Sequence, residues 1–245
     1  MNKEINTIFF DLGDTFRVIR PDEGYMNDAK CKIAFLLGTN ADPIEFYANV
    51  IEPRYAIYRE WALKYCCEAP EKVLWTRWLA YDFDKARVEA VASELTYQYR
   101  QTKGERVVTE GGVETIKELY KRGYTLGIIS DLVGVHEVDE WLDRDELRPY
   151  FKTVQQSSVT LIRKPHPAIF YYALEEAGAD PEKTCFVGDN LNRDIVGAKA
   201  AGYGMTIGVR YANSPKKPQA VTDENRPDEF ISHFTQLLDF FPAIV

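Results

Sequence analysis

Four polar side chains stand where apolar runs stop, two more lie at helix starts, and their types suit one another. The first stretch, FFDLGDTF at residues 9–16, carries Asp11 immediately after an apolar strand-like run. TLGII ends in Ser130 and Asp131, TCFV ends in Gly188 and Asp189, and Asp194 follows near the start of the next helical stretch. Lys164 precedes a helix expected within RKPHPAIFYYALEEAG at residues 163–178, with Pro167 in its first turn and Gly178 at its end. A single such aspartate reads most simply as a turn former or helix cap, and a single lysine as solvated surface. Together they describe a chemistry: a carboxylate nucleophile, and an ammonium that keeps it ionised and stabilises charge on a transferring phosphoryl group. The further carboxylates supply the oxygen ligands that suit magnesium. His166, next to Lys164, is expected as surface at the helix entry.

These residues can meet only if the elements carrying them converge. From about Glu110 onward short β-rich runs alternate with helical stretches, the pattern of a parallel sheet with right-handed crossovers. INTIFF at residues 5–10 belongs to the same sheet. In an open parallel sheet the ligand site lies beyond the carboxyl ends of the strands, where all these polar residues fall. Between about Pro21 and Arg106 the texture changes to apolar and aromatic residues at helical spacing, through Phe46, Tyr47, Val50, Tyr55, Tyr58, Trp61, Leu74, Trp78, Val88, Val91, Ala92 and Leu95. This helical insert interrupts the α/β unit. Residues 212–227 are expected as a surface connection after the last strand of the pattern.

Composition excludes several classes. The chain has 245 residues, 45% of them hydrophobic, enough for a full core. Its formal charge of −8 and lack of a basic block argue against nucleic acid or an anionic membrane surface as a partner. No apolar run approaches a membrane span or a signal h-region, so a cytoplasmic location is expected. Cys31, Cys66, Cys67 and Cys185 lack zinc spacing and are expected as reduced thiols.

The four pieces, in this order, resemble the haloacid dehalogenase superfamily of hydrolases. The matching stretches are Asp11 to Thr15, Ser130, Lys164-Pro165, and Gly188-Asp189 with Asp194. The resemblance implies an α/β fold with a Rossmann-like parallel-sheet core, at residues 1–16 and 107–245, and a second, smaller all-helical cap domain at residues 17–106. It also implies a magnesium-dependent phosphatase acting on a small phosphorylated metabolite. Asp11 would attack phosphorus to give an aspartyl-phosphate, Ser130 would bond the phosphoryl oxygens, and Lys164 would hold the nucleophile and the phosphoryl charge. Asp11, Asp189 and the backbone carbonyl of Gly13 would hold the metal, with Asp194 supporting the metal's waters or Lys164. The chain departs from the pattern at Gly13, where phosphatases of the family usually carry an acid/base aspartate. Turnover is therefore expected to be slow, with Asp14 the candidate substitute and a turn role its alternative.

Three other readings stay open at this stage. A dehalogenase would share Asp11, Ser130 and Lys164 but lack Asp189. A phosphonatase would need a cap lysine among Lys30, Lys32, Lys64, Lys72 and Lys85. The third is a non-catalytic protein that binds a phosphorylated ligand or a partner. A monomer and a homodimer are equally compatible with the sequence, and the aromatic residues of the insert, Tyr25, Trp75 and Tyr81 among them, do not name a substrate.

Overall fold

The computed structural model describes residues 4–214 and 217–244. Its centre is a six-stranded, all-parallel sheet built from β1 (Thr7–Phe10), β4 (Thr125–Ser130), β5 (Thr153–Gln156), β6 (Thr184–Gly188), β7 (Met205–Val209) and β8 (Glu229–Ile231), in the order β5-β4-β1-β6-β7-β8. Two further strands, β2 (Arg17–Arg20) and β3 (Glu105–Val108), pair antiparallel as a separate ribbon, with Arg17 opposite Val108 and Arg20 opposite Glu105.

The central strands are apolar because both faces are covered. Along β1, Ile8 and Phe10 pack with Ile116, Leu119 and Trp141 on one face, while Phe9 packs with Ile169, Phe170 and Ala173 on the other. Cys185 and Val187 repeat the alternation against Phe186 in β6. Helices Gly112–Lys121 and Glu137–Arg144 lie on the first face and Pro167–Ala177 on the second. The chain runs outward from β1 through β4 to β5, then crosses to the opposite side for β6, so the strand order reverses beside β1. That reversal opens the crevice where open α/β sheets bind ligands.

Between β2 and β3 the chain is helical, with helices Glu23–Leu37, Glu52–Tyr65 and Lys85–Gln101 the longest. Asp22 and Asp84 cap the first and third through bonds from the backbone N–H groups of Tyr25 and Arg87. This segment encloses its own apolar cluster of Ile33, Leu37, Phe46, Tyr58, Trp75, Leu79, Val88 and Leu95, which the helical spacing anticipated. One residue of the α/β unit, Val133, enters that cluster.

Three features differ from the sequence reading. β2 and β3 lie at the margins of what was read as helix, because each depends on a partner across the whole insert. β5 and β8 were not anticipated as strands. The stretch 212–227, expected as surface, sends Gln219 to the Leu191 N–H and buries Asn225, whose amide donates to Asn192. Pro215 and Lys216 of that stretch, and Met1 to Lys3 of the amino terminus, lie outside the described residues. The four cysteines are free thiols, of which Cys185 alone is fully buried. Among the described residues, no helix is long and apolar enough to cross a membrane.

Candidate active site

Asp11 leaves β1 at the crevice, its N–H donating to the Val187 carbonyl at 2.9 Å, and is 7% exposed. Lys164 Nζ lies 2.7 Å from Asp11 Oδ1, 3.0 Å from the Ile129 carbonyl oxygen and 2.7 Å from Asp194 Oδ1. The Ser130 hydroxyl approaches the same Asp11 Oδ1 at 3.4 Å. One carboxylate oxygen from each of Asp11, Asp189 and Asp194 lies within 4.8 Å of the other two. Asp11, Ser130, Lys164, Asp189 and Asp194 are therefore gathered at one edge of the sheet.

Local sequence explains the convergence. Asn190 caps the π-helical turn Leu191–Ile195, and the Asn190 N–H donates to Asp194 Oδ2 at 2.9 Å, folding that carboxylate back over the end of β6. Gly188 makes this fit, since a Cβ there would stand 2.4 Å from Asp194 Oδ2. Lys164 enters from the loop before helix Pro167–Ala177. His166 caps that helix through Nδ1 and is exposed, as expected of a helix-entry residue.

Burial works against the Lys164 ammonium, but the carboxylates of Asp11, Asp194 and Asp131 outweigh it and raise its pKa above the ordinary lysine value. Lys164 stays charged. Burial pushes the Asp194 carboxyl upward, Lys164 pulls it down, and Asp11 and Asp189 push it up again. Burial wins, and the Asp194 carboxyl is held well above the ordinary carboxylate range even with the Lys164 ammonium 2.7 Å away. Asp11, Asp189 and Asp194 bring three carboxyl groups together, two of them bonded to Lys164, and their oxygens are the ligand type that magnesium takes. The donor set fits such an ion.

Positions 13 and 14 divide the roles of turn and side chain unexpectedly. Asp14 adopts φ 59°, the left-handed region that favours glycine or asparagine and tolerates aspartate, and its N–H donates to the Arg17 carbonyl at 2.7 Å. It is a turn residue by conformation. Its side chain also lines a recess of about 70 Å³ with Asp189, Leu191, Arg210 and Tyr211. Gly13 is exposed, lies outside the left-handed region, and a Cβ built there meets nothing within 4 Å. Nothing in this geometry requires glycine at 13.

Several residues at the site were not singled out from sequence. Asp131 accepts the Lys164 N–H at 3.0 Å, and Arg193 Nη1 lies 3.1 Å from its other oxygen. Arg163, Glu68 and Tyr58 continue this network into the helical segment. Tyr211 lines the Asp14 recess and donates its hydroxyl to the Thr15 carbonyl. Asp131 carried the same strand-end signal as Asp11 and Asp189 but no assigned role, and adjacency to Lys164 and Asp194 was the only signal for Arg163 and Arg193. The lysines of the helical segment stand elsewhere: Lys30 bonds Asn27 and lies over the Tyr47 ring, and Lys32, Lys64, Lys72 and Lys85 are exposed.

Known proteins resemble this chain in sequence and in fold to differing extents. The glyceraldehyde 3-phosphate phosphatase of Pyrococcus furiosus is 40% identical over 101 residues, 41% of each chain. Pyrophosphatase PpaX of Bacillus mycoides is 34% identical over 131 residues, 54% of this chain and 58% of its own. The chain thus spans about half the length of the curated relatives it matches. Among solved structures, a 2-haloacid dehalogenase from Pseudomonas syringae superposes with a TM-score of 0.69 at 24% identity, covering 96% of this chain and 97% of that one. A haloacid dehalogenase-type phosphatase from Thermococcus onnurineus superposes with a TM-score of 0.63 at 20% identity, covering 98% of this chain and 100% of that one. Since these two neighbours carry different chemistries, the fold does not choose between them. The family model for haloacid dehalogenase-like hydrolases matches residues 5–202, most of the chain, and with the six-stranded parallel sheet it identifies the protein as a member of that hydrolase family.

Proposed function

We propose that this hydrolase is a magnesium-dependent phosphatase of small phosphorylated metabolites, working through an aspartyl-phosphate on Asp11. The observation that carries this reading is the carboxyl set around the nucleophile: one oxygen of each of Asp11, Asp189 and Asp194 lies within 4.8 Å of the other two, with Lys164 Nζ 2.7 Å from Asp11 and from Asp194. A dehalogenase of this family needs Asp11, Ser130 and Lys164 but no carboxylate at 189, and a Schiff-base lysine would need a desolvated amine, which exposed Lys32, Lys64, Lys72 and Lys85 are not, while half-buried Lys30 is engaged by Asn27 and the Tyr47 ring. The names of the relatives, phosphatases and a pyrophosphatase, point the same way.

Lys164 and Ser130 both approach Asp11 Oδ1, which leaves Oδ2 as the attacking oxygen. As the Oδ2–P bond forms, the bond from phosphorus to the leaving oxygen breaks, and that oxygen departs with the electron pair. Water then attacks phosphorus, the P–Oδ2 bond breaks, and Asp11 is regenerated with release of phosphate. Lys164 holds the nucleophile in place through its 2.7 Å contact with Asp11 Oδ1 and faces the phosphoryl charge, while the Ser130 hydroxyl is placed to donate to a phosphoryl oxygen. Asp11, Asp189 and the Gly13 carbonyl would hold the magnesium, with Asp194 beside them; the ion would supply charge neutralisation for the phosphoryl oxygens. Residues 17–106 form the cap over this crevice and residues 1–16 and 107–245 the catalytic core, with β2 and β3 at the hinge.

No aspartate stands at 13 to protonate the leaving oxygen. Aryl phosphates with acidic phenols should therefore be hydrolysed faster than alkyl phosphates. Gly13→Asp, which meets no steric or backbone obstacle, should raise alkyl phosphate turnover by about 10²-fold or more. Wild-type protein with magnesium that hydrolyses no phosphate in a panel of both kinds would refute the phosphatase reading and favour a ligand-binding protein.

A further inference from the structure

A line of buried charges connects the helical segment to the site without touching Asp11. Glu68 lies in the turn after helix Glu52–Tyr65, its side chain wholly buried. The Tyr58 hydroxyl, the Arg163 guanidinium and the Ser157 hydroxyl all donate to its carboxylate. Arg163 Nη2 lies 3.6 Å from Asp131 Oδ2, which also receives Arg193 Nη1 at 3.1 Å. Asp131 Oδ1 accepts the backbone N–H of Lys164 at 3.0 Å. Two backbone bonds run alongside, Glu68 N–H to the Leu161 carbonyl at 3.0 Å and Arg163 N–H to the Cys66 carbonyl at 2.9 Å.

Two observations set this line apart from simple anchoring. Each charged residue on the sheet side is the chain neighbour of a site residue: Asp131 of Ser130, Arg163 of Lys164, Arg193 of Asp194. The charges alternate Glu68, Arg163, Asp131, Arg193, so the line is balanced only when the helical segment contributes Glu68. Apolar contacts would anchor a segment at lower desolvation cost, whereas buried ion pairs fix geometry, and removing one partner strands the other.

We propose that Glu68 is a positioning residue: seated against Arg163, it fixes the loop that places the Lys164 ammonium against Asp11, so the site is fully arranged only when the helical segment is docked. The effect on turnover rests on the phosphatase reading; the effect on the Lys164 backbone does not. Amide hydrogen exchange and steady-state kinetics on an aryl phosphate with magnesium test both in Glu68→Gln. Asp82→Asn, which removes the Arg54–Asp82 ion pair inside the helical segment, is the control. Glu68→Gln should speed exchange at the Lys164 amide and lower kcat by about 10-fold to 10²-fold with KM changed less than about twofold, the scale expected when a reacting group is slightly misplaced. Asp82→Asn should do neither.

If Glu68→Gln does not stay folded, Glu68→Gln/Arg163→Met leaves no stranded charge. That protein should melt near the wild type yet keep the fast Lys164 exchange and low kcat, a combination a purely structural role does not give. Wild-type exchange and wild-type kcat in either variant would overturn the proposal. If the wild type hydrolyses no phosphate while Glu68→Gln still exposes the Lys164 amide, the phosphatase reading falls and the positioning role stands.

Discussion

Two clusters of charge in this molecule are unbalanced in opposite senses. At the carboxyl end of the sheet three carboxyl groups, Asp11, Asp189 and Asp194, converge, and two of them, Asp11 and Asp194, pair with the ammonium of Lys164. Beside the β2–β3 ribbon three guanidinium groups, Arg17, Arg100 and Arg106, gather around the carboxylate of Glu137. The cationic cluster draws on neutral partners: Arg17 donates to the Arg106 carbonyl and lies over the Trp141 ring at 4.7 Å, its Nε buried without a hydrogen-bond partner among the described residues, and Arg106 donates to the Arg100 carbonyl at 2.8 Å. The residual strain shows in burial pulling the Arg106 guanidinium down to about 9. At the carboxyl end of the sheet the Ser130 hydroxyl and the Asn190 N–H donate to Asp11 and Asp194, yet three carboxyl groups still converge on one place. Guanidinium groups spread over backbone and ring partners stabilise a fold, whereas converging carboxyl oxygens suit a cation and a substrate.

The sharpest way to break this contrast is to remove one charge from each cluster. Asp11→Asn should abolish turnover, by on the order of 10⁴-fold or more, because the amide cannot attack phosphorus. It also relieves crowding among three carboxylates, so the melting temperature should hold. Inactivation accompanied by unfolding would show that the site cluster is structural after all.

Glu137→Gln should do the reverse. It strands three guanidinium groups and should cost about 3–5 kcal/mol, a fall in melting temperature on the order of 10 °C. The fraction still folded should turn over substrate normally. The same carboxylate makes a prediction for pH. Burial pushes Glu137 up, but Arg100, Arg106 and Arg17 outweigh it and hold it below the ordinary 4.5. Its stabilisation is therefore complete above about pH 4.5 and is lost as pH falls through the lowered value. Acid unfolding followed by circular dichroism should lose that component in Glu137→Gln; superimposable curves would remove Glu137 from the account.

A smaller effect sharpens the same contrast. Magnesium should stabilise the wild type by roughly 2.7 kcal/mol at a hundredfold excess over its dissociation constant. Asp189→Ala should abolish that response while Glu137→Gln keeps it. A magnesium-dependent melting shift unchanged in Asp189→Ala would take Asp189 out of the metal site.

What was legible in the sequence follows from how local each determinant is. β1, β4, β6 and β7 announce themselves as apolar runs because both their faces are buried, and the polar residue ending β1, β4 and β6 marks the crevice. RVIR and ERVV do not, since each is four residues long and is a strand only because the other lies opposite it. TVQQ in β5 is half polar and is placed by β4 alongside. Asp11, Ser130, Lys164, Asp189 and Asp194 could be nominated one by one from strand ends and helix starts. The Glu68–Arg163–Asp131 line could not, for Glu68 and Arg163 are distant in sequence and neither sits in a pattern that calls for a partner. A turn role for Asp14 was one of two sequence readings, but its left-handed backbone beside an unconstrained Gly13 was not legible, because turn dihedrals follow from the closed loop and not from residue type alone.

The ribbon of β2 and β3 brings Arg20 and Glu105 side by side, so everything between them leaves and re-enters the α/β unit through one doorway. A stretch of chain with adjoining ends can be exchanged like a cassette: loop closure adds little entropy when a short turn replaces a long excursion. Joining Arg20 to Glu105 through a two-residue turn would spare Asp11, Ser130, Lys164, Asp189 and Asp194. It would also uncover Val133 and deprive Arg163 of Glu68. A transplant of another helical segment through this doorway must therefore bring its own carboxylate for Arg163 and its own apolar socket for Val133.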